Sequence, residues 1–167
     1  MIRKITPQQL VNQWKGKRSR FDVNLWNFEI KAGEVAEKVF KGSFAMGRFN
    51  SSGSTAWPPR KSPKQSHPIL NETGTLRNSI TSKVRKRPRQ VVIYTDPKKF
   101  GTAARHAGFC YAAIHNSPDS KGFRTGRAAN IAQRQFIGHS TVLEEELKKI
   151  EPMIFAGFPG VVQRLFI

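Results

Sequence analysis

Between Leu25 and Ser43, the residues Leu25, Phe28, Ala32, Val35, Ala36, Val39, Phe40 and Ser43 recur at spacings of three and four. That period belongs to a helix with one buried face. The stripe predicts a helix from about Val23 to Ala45, with Asp22 placed to cap it. A helix of this length is a wall that the rest of the chain must cover. Gly33 sits inside it and marks either a close contact or a weak point.

Ahead of the stripe, Thr6-Pro7-Gln8-Gln9 has the form of a helix start, with a capping hydroxyl, Pro at the first position and Gln to close a capping box. A separate short helix to about Lys17 is predicted, carrying Leu10, Val11 and Trp14, because Gly16 and the cluster Lys15, Lys17, Arg18, Arg20 interrupt the apolar pattern. From Met46 to Pro68 the chain is rich in Gly, Ser, Pro and basic residues, which predicts a long irregular loop pinned by Trp57. A short amphipathic unit follows with Leu70, Leu76 and Ile80 as its apolar points; Thr73-Gly74 forms a turn or a helix start.

Ile80 to Arg85 and Val91-Val92-Ile93-Tyr94 read as the strands of a β-hairpin around the basic turn Arg85-Lys86-Arg87-Pro88-Arg89. Phe109 to His115 is a third strand candidate, and Asn116 to Gln133 a second long loop. A last helix should start at Ser140 or Thr141, with Glu144 as capping-box partner, and kink or restart at Pro152. Residues 156–167 form an apolar tail, which is either docked or an assembly contact. The order of elements is that of an α+β fold: one domain over residues 1–167, with a small antiparallel sheet packed by N-terminal and C-terminal helices, and residues 1–20 as a helical extension.

The charge balance is one-sided. Twenty-nine Lys and Arg against eleven Asp and Glu give +18, which points to a polyanionic partner or an assembly beside one. Between Trp57 and Arg105 only Glu72 and Asp96 oppose the cations. The hairpin tip gathers Arg85, Lys86, Arg87 and Arg89, which could contact phosphates without reading base sequence. A solvated turn is the plainer reading of the same run. No helix-turn-helix or zinc-finger signature is present, so any DNA contact would be non-specific. One cysteine, Cys110, excludes an internal disulfide framework. The absence of a long apolar run implies a soluble protein that stays in a cytoplasm and uses no membrane.

Catalytic chemistry is poorly supported. His106, Cys110 and His115 are close in sequence, but a zinc site would need a distant fourth ligand such as His67 or His139. No nucleophile motif or phosphate-cradling loop appears, and Glu144-Glu145-Glu146 suits a helix start better than acid–base work. The residues therefore suggest a non-enzyme that needs no metal or cofactor.

Four short motifs occur in order. They are Trp57-Pro58-Pro59-Arg60; Leu70-Asn71-Glu72-Thr73-Gly74-Thr75-Leu76-Arg77-Asn78-Ser79-Ile80; Tyr111-Ala112-Ala113-Ile114-His115-Asn116; and Arg134-Gln135-Phe136-Ile137-Gly138. Together they resemble the phage virion-morphogenesis, or tail-completion, proteins, a group that includes the Mu-like tail-completion proteins and related siphophage neck proteins. Gln135 departs from that pattern, which often has Pro there. The resemblance implies a role in completing the tail or joining it to the head. The residues themselves read as structural: Leu70, Leu76 and Ile80 pack a short helix on the sheet, Gly74 allows a tight approach, and Tyr111 and His115 share one face of a strand. Phe136 would anchor the loop before the last helix. The resemblance also implies self-assembly, as a ring or similar homo-oligomer, with other tail or head-completion proteins as partners. The protein would act in the host cytoplasm and in the tail or neck of the virion. The alternative is a non-specific nucleic-acid-binding protein of a mobile element.

Overall fold

The computed structural model describes residues 6–60, 68–100, 112–117 and 132–158. Helix α1 runs unbroken over Pro7–Met46. At about 1.5 Å per residue, its forty residues make a rod of about 60 Å. Its start is as the sequence predicts: Thr6 Oγ1 accepts from Gln9 N at 3.2 Å, and Gln9 Oε1 accepts from Thr6 N at 2.9 Å. Gly47 ends it with φ of 63°, a left-handed conformation that Gly adopts without penalty.

The expected break near Lys17 is absent, so residues 7–20 are the first third of α1 and not a separate element. A polar stretch interrupts a stripe but not a helix. Lys and Arg are good helix formers, and Gly16 costs only about 1 kcal/mol. Asp22 is accordingly a mid-helix residue, not a cap. Residues 6–23 are all exposed. Contact with the body begins at Arg20 and burial at Asn24; beyond it the helix buries Glu29, Ala32, Gly33, Ala36, Val39, Phe40, Ser43 and Phe44.

Strands β1 (Ile80–Lys86) and β2 (Arg89–Thr95) form the hairpin, in antiparallel register from Ile80 opposite Thr95 to Lys86 opposite Arg89. Arg87 and Pro88, joined by a cis peptide bond, make the turn. The hairpin lies along α1. A Cβ on Gly33 would stand 2.7 Å from Ser82 Oγ and 3.0 Å from Ser82 Cβ, so the strand occupies the space a side chain would need. Next to it, Glu37 Oε1 accepts from Ser82 N at 2.7 Å and from Ser82 Oγ at 2.8 Å. Burial alone would raise the Glu37 carboxyl pKa, but the hydrogen bonds from Lys41 and Ser82 outweigh it and hold the group below the usual value.

Helix α2 (Thr75–Ser79) precedes the hairpin. Gly74 is its N-cap with φ of 70°, and a Cβ there would meet nothing nearer than 3.5 Å. Its glycine answers a backbone requirement, not the close approach expected. A 3₁₀ turn, Pro97–Phe100, follows β2. Residues 112–116 are helical, which corrects the strand expected over Phe109 to His115 from residue 112 on; 109–111 lie outside the described residues. A short apolar run does not distinguish strand from buried helix, and Ala112-Ala113 favours the helix.

Helix α3 (Thr141–Ile150) is capped by Ser140, whose hydroxyl accepts from Leu143 N at 3.1 Å. Glu144 therefore makes no capping box; it faces His139 at 2.8 Å instead. The chain restarts at Pro152 as a 3₁₀ helix, Glu151–Phe155, which returns to α1. Arg20 Nη1 donates to Gly157 O at 3.0 Å, and Asn24 Nδ2 donates to Ile154 O and Ala156 O at 3.1 and 2.9 Å. Of the apolar tail, only 156–158 fall within the described residues. The result is the α+β fold: a two-stranded antiparallel sheet with helices. No helix among the described residues is long and apolar enough to cross a membrane.

The two glycines inside α1 should respond oppositely to substitution. Gly33→Val should destabilise by about 1–3 kcal/mol through overpacking against Ser82. Gly16, with nothing within 4 Å of its Cβ position, should accept Ala neutrally or with a gain of up to about 1 kcal/mol. Thermal unfolding of the two variants checks both.

Candidate functional site

The motif segments meet at one place. Phe44, Trp57, Leu70, Leu76, Ile80, Ala112 and Phe136 belong to a single buried cluster, in which the Phe44 ring lies 5.6 Å from Trp57 and 5.4 Å from Phe136. Hydrogen bonds to backbone tie the segments where regular structure does not. Trp57 Nε1 donates to Gln135 O at 2.9 Å, and Arg134 N to His115 O at 2.7 Å. Asn116 Oδ1 accepts from both Phe136 N and Ile137 N at 2.9 Å. Arg134, only 8% exposed as a residue, donates through its guanidinium to Pro58 O at 3.0 Å and Pro59 O at 3.1 Å. A buried cation needs such acceptors, because desolvation otherwise costs several kcal/mol.

His115 is buried in the same place. Burial first, and the nearby Arg134 charge second, push its pKa down from 6.5 to about 4. It is thus a neutral imidazole at pH 7, poorly matched to general-base work there. The expectation that Tyr111 and His115 share a strand face fails because residues 112–116 are helical; Tyr111 lies outside the described residues. Thr73 stands just ahead of the N-cap Gly74, its Oγ1 accepting from Thr75 N at 3.3 Å. A Cβ on Gly138 would fall 2.0 Å from Gln135 Nε2, the far end of a flexible side chain that can swing aside.

The hairpin tip is not four equivalent cations. Lys86 Nζ sits 5.3 Å from the Trp26 ring centroid, and Arg89 Nε pairs with the buried Glu29 Oε1. Both are turned back onto α1. Arg85 and Arg87 are exposed, with no ion-pair partner among the described residues. The sequence reading missed Trp26 and Glu29 as the anchors of the tip. A signal was available in Glu29, an acid on the core-facing stripe between Phe28 and Ala32, which calls for a cation.

Among the described residues, no three His, Cys, Asp or Glu side chains gather as a metal site. His67, His106 and Cys110 lie outside the described residues. Comparison with protein-family models, curated proteins and solved structures returns no match to this chain.

The depressed His115 pKa sets a sign. The unfolded chain takes up a proton near pH 6.5 that the folded chain refuses until about 4, so stability falls as pH drops through that window. The slope is at most about 1.4 kcal/mol per pH unit for this one group. Glu37, held low, adds loss in the same direction only below about 4.5. Denaturation midpoints of His115→Gln should be lower than wild type at pH 7 but flatter between pH 6.5 and 4.5.

Proposed function

We propose that this chain is a phage virion-assembly protein of the tail-completion type, which completes the tail or joins it to the head by self-assembly and by contacts to neighbouring virion proteins. The observation that carries the reading is the convergence of the four motif segments, Trp57 to Gly138, on one buried node. Residues scattered along the chain that pack into one node behave as a structural unit, in keeping with the role the motif resemblance implies. Host cytoplasm during assembly and the tail or neck of the particle are the locations that go with it.

Helix α1 supports the same reading. Leu10, Val11 and Trp14 continue its core-facing stripe at helical spacing, yet stand 43%, 45% and 63% exposed. A bare apolar face on a projecting helix suits a contact with another protein. A ring built from copies of one chain needs two different surfaces per copy, since closed rings use heterologous contacts. The projecting half of α1 supplies one of them.

Light scattering on the full chain tests the proposal. The protein should form a discrete oligomer. The double variant Leu10→Ser/Trp14→Ser should reduce the mass to that of a monomer without lowering the unfolding temperature of the body. A wild-type chain that stays monomeric at every concentration would contradict it.

A further inference from the structure

Two basic stretches far apart in sequence are brought to one end of the molecule. The hairpin approaches α1 along the face that contains Trp26, Glu29, Gly33 and Glu37. Continued toward the N-terminus at spacings of three and four, that face carries Asp22, Arg18 and Lys15. Asp22 is close enough to the tip to act on Arg89. Lys15, Arg18, Ser19, Asp22, Val23 and Trp26 line a shallow groove on the exposed part of the rod. From Lys15 to Trp26 it extends about 16 Å at the helical rise. The cation–π contact of Lys86 and the ion pair of Arg89 fix the tip at the end of this groove. Arg85 and Arg87 are left exposed there.

We propose that this helix–hairpin end binds the phosphodiester backbone of nucleic acid, independently of base sequence. Lys15 and Arg18 on α1, with Arg85 and Arg87 on the tip, carry the contacts. Asp22 is the one acid in the groove, and Glu29 is buried and already paired with Arg89. The net field at the surface is therefore positive, and flexible exposed cations meet phosphates without a base code. Trp26 and Lys86 act as positioning residues that hold the tip in place. The inference does not rest on the assembly reading, since a monomer could bind in the same way.

Fluorescence anisotropy of the full chain, with a labelled short duplex and a single strand of equal length over a salt series, tests it. Four contacts give a log–log salt slope of about −3.6 on the duplex and about −2.8 on the single strand, and the tighter binding of the two at equal salt identifies which form is held. Arg85→Gln/Arg87→Gln should remove about half of the slope and weaken low-salt binding roughly tenfold or more, and Lys15→Gln/Arg18→Gln should do the same. Lys148→Gln, on α3, should change nothing. All these positions are exposed, and circular dichroism verifies that α1 persists in each variant. The proposal is overturned by salt-independent or absent binding to both nucleic acids, or by binding that neither double variant weakens. Equal affinity for poly-glutamate would also overturn it, assigning the surface to an acidic protein partner.

Discussion

Helix α1 holds the protein together. Its buried stripe receives the hairpin and the core around Phe44, and Arg20 and Asn24, off that stripe, hold the returning 3₁₀ helix. A two-stranded ribbon has little stability of its own. Its position here depends on the missing side chain at Gly33 and on the Glu37 carboxylate, which satisfies the Ser82 amide and hydroxyl. The same carboxylate is pinned from the other side by Lys41 at 2.8 Å. The contact thus combines close packing with charge-assisted hydrogen bonds, which are about twice as strong as neutral ones.

A second constraint acts where the chain lacks regular structure. Trp57, Asn116 and Gln135 are themselves buried or half-buried, so the polar groups they carry inward need partners. Side chains supply them: the Trp57 indole, the Asn116 amide and the Arg134 guanidinium each bond to backbone of a distant segment. This arrangement closes the body at one end of α1. It leaves the other end projecting, with Leu10, Val11 and Trp14 interleaved with Lys15 and Arg18 on one side of the rod. Assembly and polyanion contact are therefore assigned to adjoining residues of one helix, and they compete.

Local signals in the sequence located most elements. The capping box at Thr6, the alternation through the hairpin and the Ser140 start of the last helix all rest on interactions within a few residues. The failures share a physical cause. Continuity of α1 through Gly16 depends on the absence of any helix-stopping residue, and the basic cluster there hid it. The run at Ala112 to Ile114 is short and apolar, so its state depends on tertiary surroundings. The tip anchors Trp26 and Glu29 are some sixty residues from Lys86 and Arg89, and only the fold brings them together. Burial of Arg134 against two proline carbonyls was equally invisible, since nothing local distinguishes it from a solvated arginine.

The continuity of α1 underlies both functional surfaces, and one distance tests it. Spin labels at the exposed positions 12 and 45, in a Cys110→Ser background, can be measured by double electron–electron resonance. An unbroken helix separates the two backbone positions by about 50 Å, in a single narrow distribution. A markedly shorter or broad distribution would mean that the chain bends near Gly16, and the projecting rod that carries both sets of residues would not exist.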